Sequence, residues 1–430
     1  MTDEDPAVSF AAVAATHRRC FWLDGGGARE WSGRRSIVGW LEDDDVSLTY
    51  DAARREVRRH AGGTSEVVGD DIWSVLESSM APGEQWFGYL GAACRPDLPA
   101  RPDPDLPDAV WMRPSHVRSF EHAAGPMSES PPKRGPRRML ADASASNRQG
   151  RPAGGAPGAY AAAYARVQEH LRAGNSYEVN LTYRLGADSD LDPVATYLRL
   201  RDLNPAPYAG CLQHDVESAR AWLLSSSPER YALVTADRAI ETKPIKGTAP
   251  RGATEEEDEA LRVGLARDPK NRAENLMIVD LLRNDIGMVS EVGSVEVPVL
   301  MDVESYETVH QLVSTVRGRL REDVTTVGAL RALFPPGSMT GAPKRRTMEI
   351  IEEVEETPRG VYAGAFGWIS GDGRADLGVV IRSLMTAGDG RWTLGTGGGI
   401  TVRSDVDDEW QESRWKAERL LRALEEESPG

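Results

Sequence analysis

Apolar positions in the first 122 residues come as short runs rather than long stripes. Cys20-Phe-Trp-Leu-Asp24, Ser36-Ile-Val-Gly-Trp40 and Gln85-Trp-Phe-Gly-Tyr-Leu-Gly91 are brief and rich in aromatic or β-branched residues, a pattern that predicts buried strands. From Ala123 to Pro157, Pro, Gly, Ser, Ala and Arg replace almost all large apolar residues. Such a stretch buries too little surface to offset the entropy of ordering, and reads as a linker or mobile loop. The chain therefore divides into an N-terminal region 1–122, a linker 123–158 and a C-terminal region 159–430.

Beyond the linker, Tyr160, Tyr164, Val167 and Leu171 recur at helical spacing, and Gly174 stops that helix. The next segment alternates. Tyr177, Val179, Leu181 and Tyr183 face one way, and Glu178, Asn180 and Thr182 the other. The polar side either meets solvent or lines a pocket; a half-solvated sheet is the default expectation. Glu274 to Asp285 is apolar almost all round, the mark of a buried helix, with Gly287 as its cap. Its Glu274, Asp280, Arg283, Asn284 and Asp285 then need partners, because an unpaired buried charge is costly. Residues 407–426 predict a charged amphipathic helix.

Length and composition narrow the class. The 430 residues suit two or three domains or one large α/β unit, and 40% apolar content with 11 tryptophans supports a substantial core. A net charge of −16 excludes a typical nucleic-acid binder, which needs a basic footprint. An anionic substrate remains compatible, because a local site can be positive or hold a metal. Cys20, Cys94 and Cys211 have neither disulfide-framework nor metal-ligand spacing. No apolar run is long enough to span a membrane, and the acidic start is no signal peptide. A soluble, cytoplasmic protein with no membrane or nucleic-acid partner is expected.

Chemistry concentrates in a few places. Lys243-Pro-Ile-Lys246-Gly-Thr-Ala-Pro-Arg251 sets three cations around glycine and proline, as a solvated basic turn or as part of a site. Glu409, Glu412 and Lys416 share one helical face. They form either a surface ion pair or hard oxygen ligands for Mg²⁺, with Glu274 as a third carboxylate. Two glycine runs, 336–344 and 395–400, could hold carboxylates through backbone N–H groups, or could be tight turns. Neither is a phosphate loop. The residues alone lead to a Mg²⁺-dependent enzyme acting on a small anion.

Taken together, the blocks Ser176-Tyr-Glu-Val-Asn-Leu-Thr182, Ser226-Ser-Pro-Glu-Arg230, Pro244-Ile-Lys-Gly-Thr248, Asn271 to Asp285, His310-Gln-Leu-Val-Ser314 and Gly337 to Lys344 are specific. In this order they resemble the chorismate-utilising enzymes, particularly aminodeoxychorismate synthase component I, relative of anthranilate synthase component I. The resemblance runs from about Tyr160 to Leu424 and implies an α/β fold of α+β type: a large sandwich of mainly antiparallel β-sheets between helical layers. It implies that Glu274 and Glu412 hold Mg²⁺ with Glu409 nearby. Tyr362 and Arg382 would take the enolpyruvyl carboxylate of chorismate, a task suited to arginine's fork. Ser338, Thr248, Lys416 and the glycines Gly397, Gly398 and Gly399 would contact substrate. His310 matches an active-site histidine, and Glu229 an acid that protonates the departing hydroxyl.

Lys246 decides the branch, because anthranilate synthases resemble Pro-Ile-Ala-Gly-Thr there. The implied mechanism is covalent: the amine adds at ring carbon 2, the carbon-4 hydroxyl leaves, and ammonia then enters at carbon 4. The lysine must be neutral to act, so its pKa must fall through desolvation or nearby positive charge, with Lys243, Arg251 and Mg²⁺ as candidate sources. Glu178 departs from the family's usual glutamine and also from the lysine of the water-adding members. Asp24-Gly25 departs from the Asp-Ser of the family's tryptophan pocket. No cysteine sits in a glutaminase elbow, so ammonia would come from a separate glutaminase (amidotransferase) subunit. The alternatives are an anthranilate synthase component I, a 2-amino-2-deoxyisochorismate synthase, or a catalytically silent chorismate-binding module.

Overall fold

The computed structural model describes residues 5–25, 35–122, 155–306 and 309–425. The short aromatic runs form strands, Arg19–Asp24, Arg35–Trp40 and Gln85–Leu90. Their neighbours come from far along the sequence. The first sheet has nine strands, in spatial order Gly341–Ala342, Glu178–Asp188, Arg391–Ile400, Ser383–Thr386, Ala221–Ser227, Tyr208–His214, Arg19–Asp24, Arg35–Trp40 and His116–Glu121. The second runs Ile245–Pro250, Val309–Arg319, Ala239–Lys243, Arg230–Val234, Ala375–Val379, Ala365–Ser370, Gln85–Leu90, Ala109–Met112, Ser47–Asp51, Glu56–Ala61 and Thr64–Gly69. Glu296–Ser305 also pairs with Val309–Arg319. Every one of these pairings is antiparallel.

Alternation explains the layering. Along Arg19–Asp24, Phe21 points between the sheets, where it stacks on Phe87 at 4.1 Å, while Cys20 and Trp22 point outward. There they meet Phe10, Tyr197 and Leu420 from helices Pro6–Ala14, Pro193–Leu203 and Val406–Ala423. Both faces of Arg19–Asp24 are covered, so this strand reads as a continuous apolar run. The expected sandwich between helical layers is what forms.

Three expectations change. Regions 1–122 and 159–430 are not separate bodies, because Arg19–Asp24 pairs with Tyr208–His214 and Gln85–Leu90 with Ala365–Ser370. The shift in composition marked a linker, most of which (123–154) lies outside the described residues, but not a division of the core. The helix predicted to end at Gly287 runs Pro269–Val289, started by Asp268, whose side chain accepts from the Asn271 N–H. It is not buried all round. Asp280 pairs with Arg283 in solvent at 3.3 Å, while Asp285 takes Lys344 at 2.7 Å.

The third change concerns the polar side of Glu178–Asp188, which is buried rather than solvated. The Thr182 N–H and hydroxyl both donate to Glu355 at 2.8 Å, and the Asn180 amide donates to the Ser338 carbonyl at 3.1 Å. Tyr177, expected on the apolar side, lies just outside the strand and is exposed.

Candidate active site

A cavity of ≈140 Å³ opens where Ile245–Pro250, at one end of the second sheet, faces Glu178–Asp188 and Arg391–Ile400 of the first. Helices Pro269–Val289 and Val406–Ala423 complete its walls. Glu229 lies on the short link where the chain passes from Ala221–Ser227 in one sheet to Arg230–Val234 in the other. That crossing drives its carboxyl into the cavity and out of water. Burial pushes its pKa up to about 7, against the Ser338 hydroxyl and the Lys246 and Lys416 ammoniums. A substantial fraction is therefore protonated at neutral pH.

Lys246 also lines the cavity, with Nζ 2.7 Å from Glu178 Oε1. Burial favours its neutral form, but the carboxylates of Glu178, Glu274 and Glu229 outweigh burial and hold the ammonium well above its ordinary range. The expected positive neighbours do not lower it. Lys243 is paired with Glu304 at 2.5 Å and Arg251 with Asp258 at 2.7 Å, so their charges are spent elsewhere.

Arg382 has the opposite surroundings. It is half-buried in the cavity wall, its guanidinium 5.8 Å from the Trp415 ring centroid. Among the described residues no carboxylate forms an ion pair with it. Burial lowers its pKa to about 10, helped by Arg419 and opposed by Glu412. A guanidinium without an ion-pair partner among the described residues, on the same cavity wall as Tyr362, fits a substrate carboxylate. Gly395 makes room for that tyrosine, since a Cβ there would stand 2.2 Å from the ring.

The glycine run 397–399 pairs with Thr182, Leu181 and Asn180. A Cβ on Gly399 would fall 2.1 Å from Glu178 Oε1, and one on Gly398 3.3 Å from Glu409 Oε2. These glycines thus make space for acids, in addition to the predicted substrate contact. Lys416 donates to the Gly397 carbonyl at 3.0 Å and pairs with Glu412 at 2.9 Å. Lys416 in turn pulls the pKa of Glu412, at the cavity mouth, down to about 2.

Glu274, Glu409 and Glu412 all line the cavity, as the metal reading requires. Lys270, missed in the sequence although it stands one turn before Glu274, fills part of that role. Its Nζ is 2.8 Å from Glu409 and 4.0 Å from Glu274. As placed, no three acidic, histidine or cysteine side chains among the described residues form a ready metal cluster. The donor chemistry nonetheless fits Mg²⁺: hard carboxylate oxygens face a cavity, and Glu274 Oε1 is buried with no hydrogen-bond partner.

Ser338 and Thr248 line the cavity too; His310 does not. It is fully buried, with Nδ1 2.7 Å from the Ser305 hydroxyl and Nε2 3.0 Å from Asp258. Strand alternation is the cause. Gln311, cross-strand from Thr248, faces the cavity, so its neighbour His310 faces away. His310, which the resemblance makes an active-site histidine, thus stands behind the cavity wall rather than on it.

Comparison with known proteins agrees with this geometry. The sequence matches the chorismate binding enzyme family over residues 18–422. It is 40% identical to an aminodeoxychorismate synthase of Streptomyces griseus, an alignment covering 99% of this chain and 64% of that one. It is 44% identical to aminodeoxychorismate synthase component 1 of Escherichia coli (strain K12), over 62% of this chain and 57% of that one. The fold is similar to anthranilate synthase component I from Streptococcus pneumoniae TIGR4, with TM-score 0.72, 27% identity and coverage of 91% and 92%. The chain belongs to the chorismate binding enzyme family. It spans about 64% of the length of the Streptomyces relatives it matches.

Proposed function

We propose that the protein converts chorismate and ammonia to 4-amino-4-deoxychorismate. The observation that carries this reading is Lys246 in one cavity with the unpaired Arg382 and the partly protonated Glu229. Arg382, with Tyr362 beside it, binds the enolpyruvyl carboxylate. Lys246 Nζ adds at ring carbon 2, while Glu229 delivers its proton to the carbon-4 hydroxyl so that it leaves as water. Ammonia then enters at carbon 4 and expels the lysine. Glu274 and Glu412, with Glu409 beside them, would hold Mg²⁺, which would supply positive charge against the substrate's other carboxylate.

In this reading ammonia is delivered by a separate glutaminase subunit; Cys20, Cys94 and Cys211 are free and buried in the core. No helix among the described residues is long and apolar enough to cross a membrane, consistent with work in the cytoplasm. The test is incubation with chorismate, Mg²⁺ and ammonium, with the amine position in the product located by NMR. An amine at carbon 4, lost in Lys246→Ala, is expected. An amine at carbon 2, as in anthranilate or 2-amino-2-deoxyisochorismate, refutes the product; full turnover by Lys246→Ala refutes the nucleophile.

A further inference from the structure

We propose that Glu178 is the proton acceptor of the Lys246 amine, taking one ammonium proton as Nζ attacks and returning it when the lysine is expelled. This rests on the reading of Lys246 as the nucleophile. Three observations place Glu178 in the role. Its carboxylate is 1% exposed, Oε1 touches Nζ at 2.7 Å, and Oε2 has no hydrogen-bond partner among the described residues. Burying a carboxylate with one oxygen unsatisfied costs stability, and among the described residues Lys246 is its one ion-pair partner. Gly399, finally, leaves the space the pair occupies: a Cβ there would meet Glu178 Oε1 at 2.1 Å and Lys246 Nζ at 3.3 Å.

A resting ammonium needs a base in contact with it, and the other groups facing Lys246 do not qualify. Glu229 is engaged on the leaving hydroxyl and has a proton to give. Glu274, on helix Pro269–Val289, makes no ion pair with Nζ within 4.0 Å. His310 faces Asp258, and Lys243 is taken by Glu304. Substrate filling the cavity removes water from the Glu178–Lys246 pair, and desolvation favours the neutral amine with a protonated carboxyl.

The balance closes. The Lys246 ammonium gives one proton to Glu178, and the freed lone pair forms the bond to carbon 2. The two conjugated ring double bonds each shift by one position, and the carbon–oxygen bond at carbon 4 breaks with its electron pair, Glu229 supplying the proton that makes water. Ammonia forms the bond at carbon 4, and the carbon 2–nitrogen bond breaks, its electrons returning to lysine. The new ammonium on carbon 4 gives its extra proton to Glu229, and Glu178 returns its own to Lys246. Both carboxyls and the lysine end as they began.

Glu178→Gln keeps the shape and an acceptor oxygen for Nζ but cannot take the proton. Chorismate binding with Mg²⁺, read by equilibrium dialysis, is expected within threefold of wild type. At pH 7, kcat with ammonium should fall at least tenfold, positioned proton transfer being worth about 10²–10⁴-fold. The ratio of wild-type to variant kcat should shrink from pH 7 to pH 9 as solvent takes over the proton. If Glu178 were only a countercharge, its removal would release free amine, so an unchanged or raised kcat overturns the proposal. Glu178→Asp, which keeps the carboxyl but shortens its reach, serves where the amide variant does not fold. It should lose kcat with the same narrowing at high pH, and wild-type kcat with an unchanged profile overturns the proposal. Lys246→Ala separates the two readings. Turnover retained there removes the nucleophile, whereas turnover lost there but kept in Glu178→Gln removes only the role of Glu178.

Discussion

Glu229→Gln should make the protein slower and more stable at once. The chain crosses between sheets at Glu229 and buries its carboxyl, raising the pKa to about 7. The unfolded chain titrates near the ordinary glutamate value of about 4.3. A group whose folded pKa is raised leaves stability intact below the unfolded value and withdraws it as pH climbs through the folded value. The window is therefore about pH 4.3 to 7, and the cost above it is on the order of 3 kcal/mol. Glutamine, neutral at every pH, escapes that cost. Urea unfolding should show the variant as stable as wild type near pH 4.5, and more stable by up to about 3 kcal/mol at pH 8. Its kcat should fall about 10²–10⁴-fold through loss of the general acid, which corresponds to about 2.7–5.4 kcal/mol of barrier. A stability difference that does not change with pH, or a variant retaining more than a tenth of its kcat, would refute the account of this carboxyl.

Arg382→Ala should raise KM for chorismate by roughly 10- to 150-fold, since a charge-assisted hydrogen bond is worth about 1.5–3 kcal/mol. It should cost the fold little, because among the described residues it breaks no ion pair and only the contact with the Trp415 ring; KM within twofold of wild type would contradict the carboxylate site. Glu274→Gln and Glu412→Gln should each weaken Mg²⁺ binding at least tenfold by calorimetry. Equal Mg²⁺ affinity in both variants and wild type would remove these residues as ligands.

Buried strands were legible because a strand covered on both faces carries an apolar run visible in the sequence, as at Cys20 to Asp24, whereas the sandwich they build was implied only by the resemblance. The site was legible through its blocks, but its internal contacts were not. Alternation across Glu178, Asn180 and Thr182 shows that two faces exist and not which is covered. Cover comes from Glu355, Ser338 and Lys246, far away in sequence. The same parity assigned His310 and Gln311 to opposite sides, but which side held the cavity depended on pairing with Ile245–Pro250. Lys270 escaped because an i, i+4 Lys–Glu spacing occurs on any solvated helix, and only burial of Glu409 gives it meaning.

The interleaving of the sheets bears on how the chain is made. Gln85–Leu90 must wait for Ala365–Ser370, about 275 residues later. At ribosomal speeds of about 5–20 residues per second, that is roughly 15–55 s during which Trp86, Phe87 and Tyr89 have only one of their two partner strands, Ala109–Met112. Until then one edge of that strand stays open to other chains. A polypeptide cut between the two regions would leave each fragment with half a sheet and an open edge.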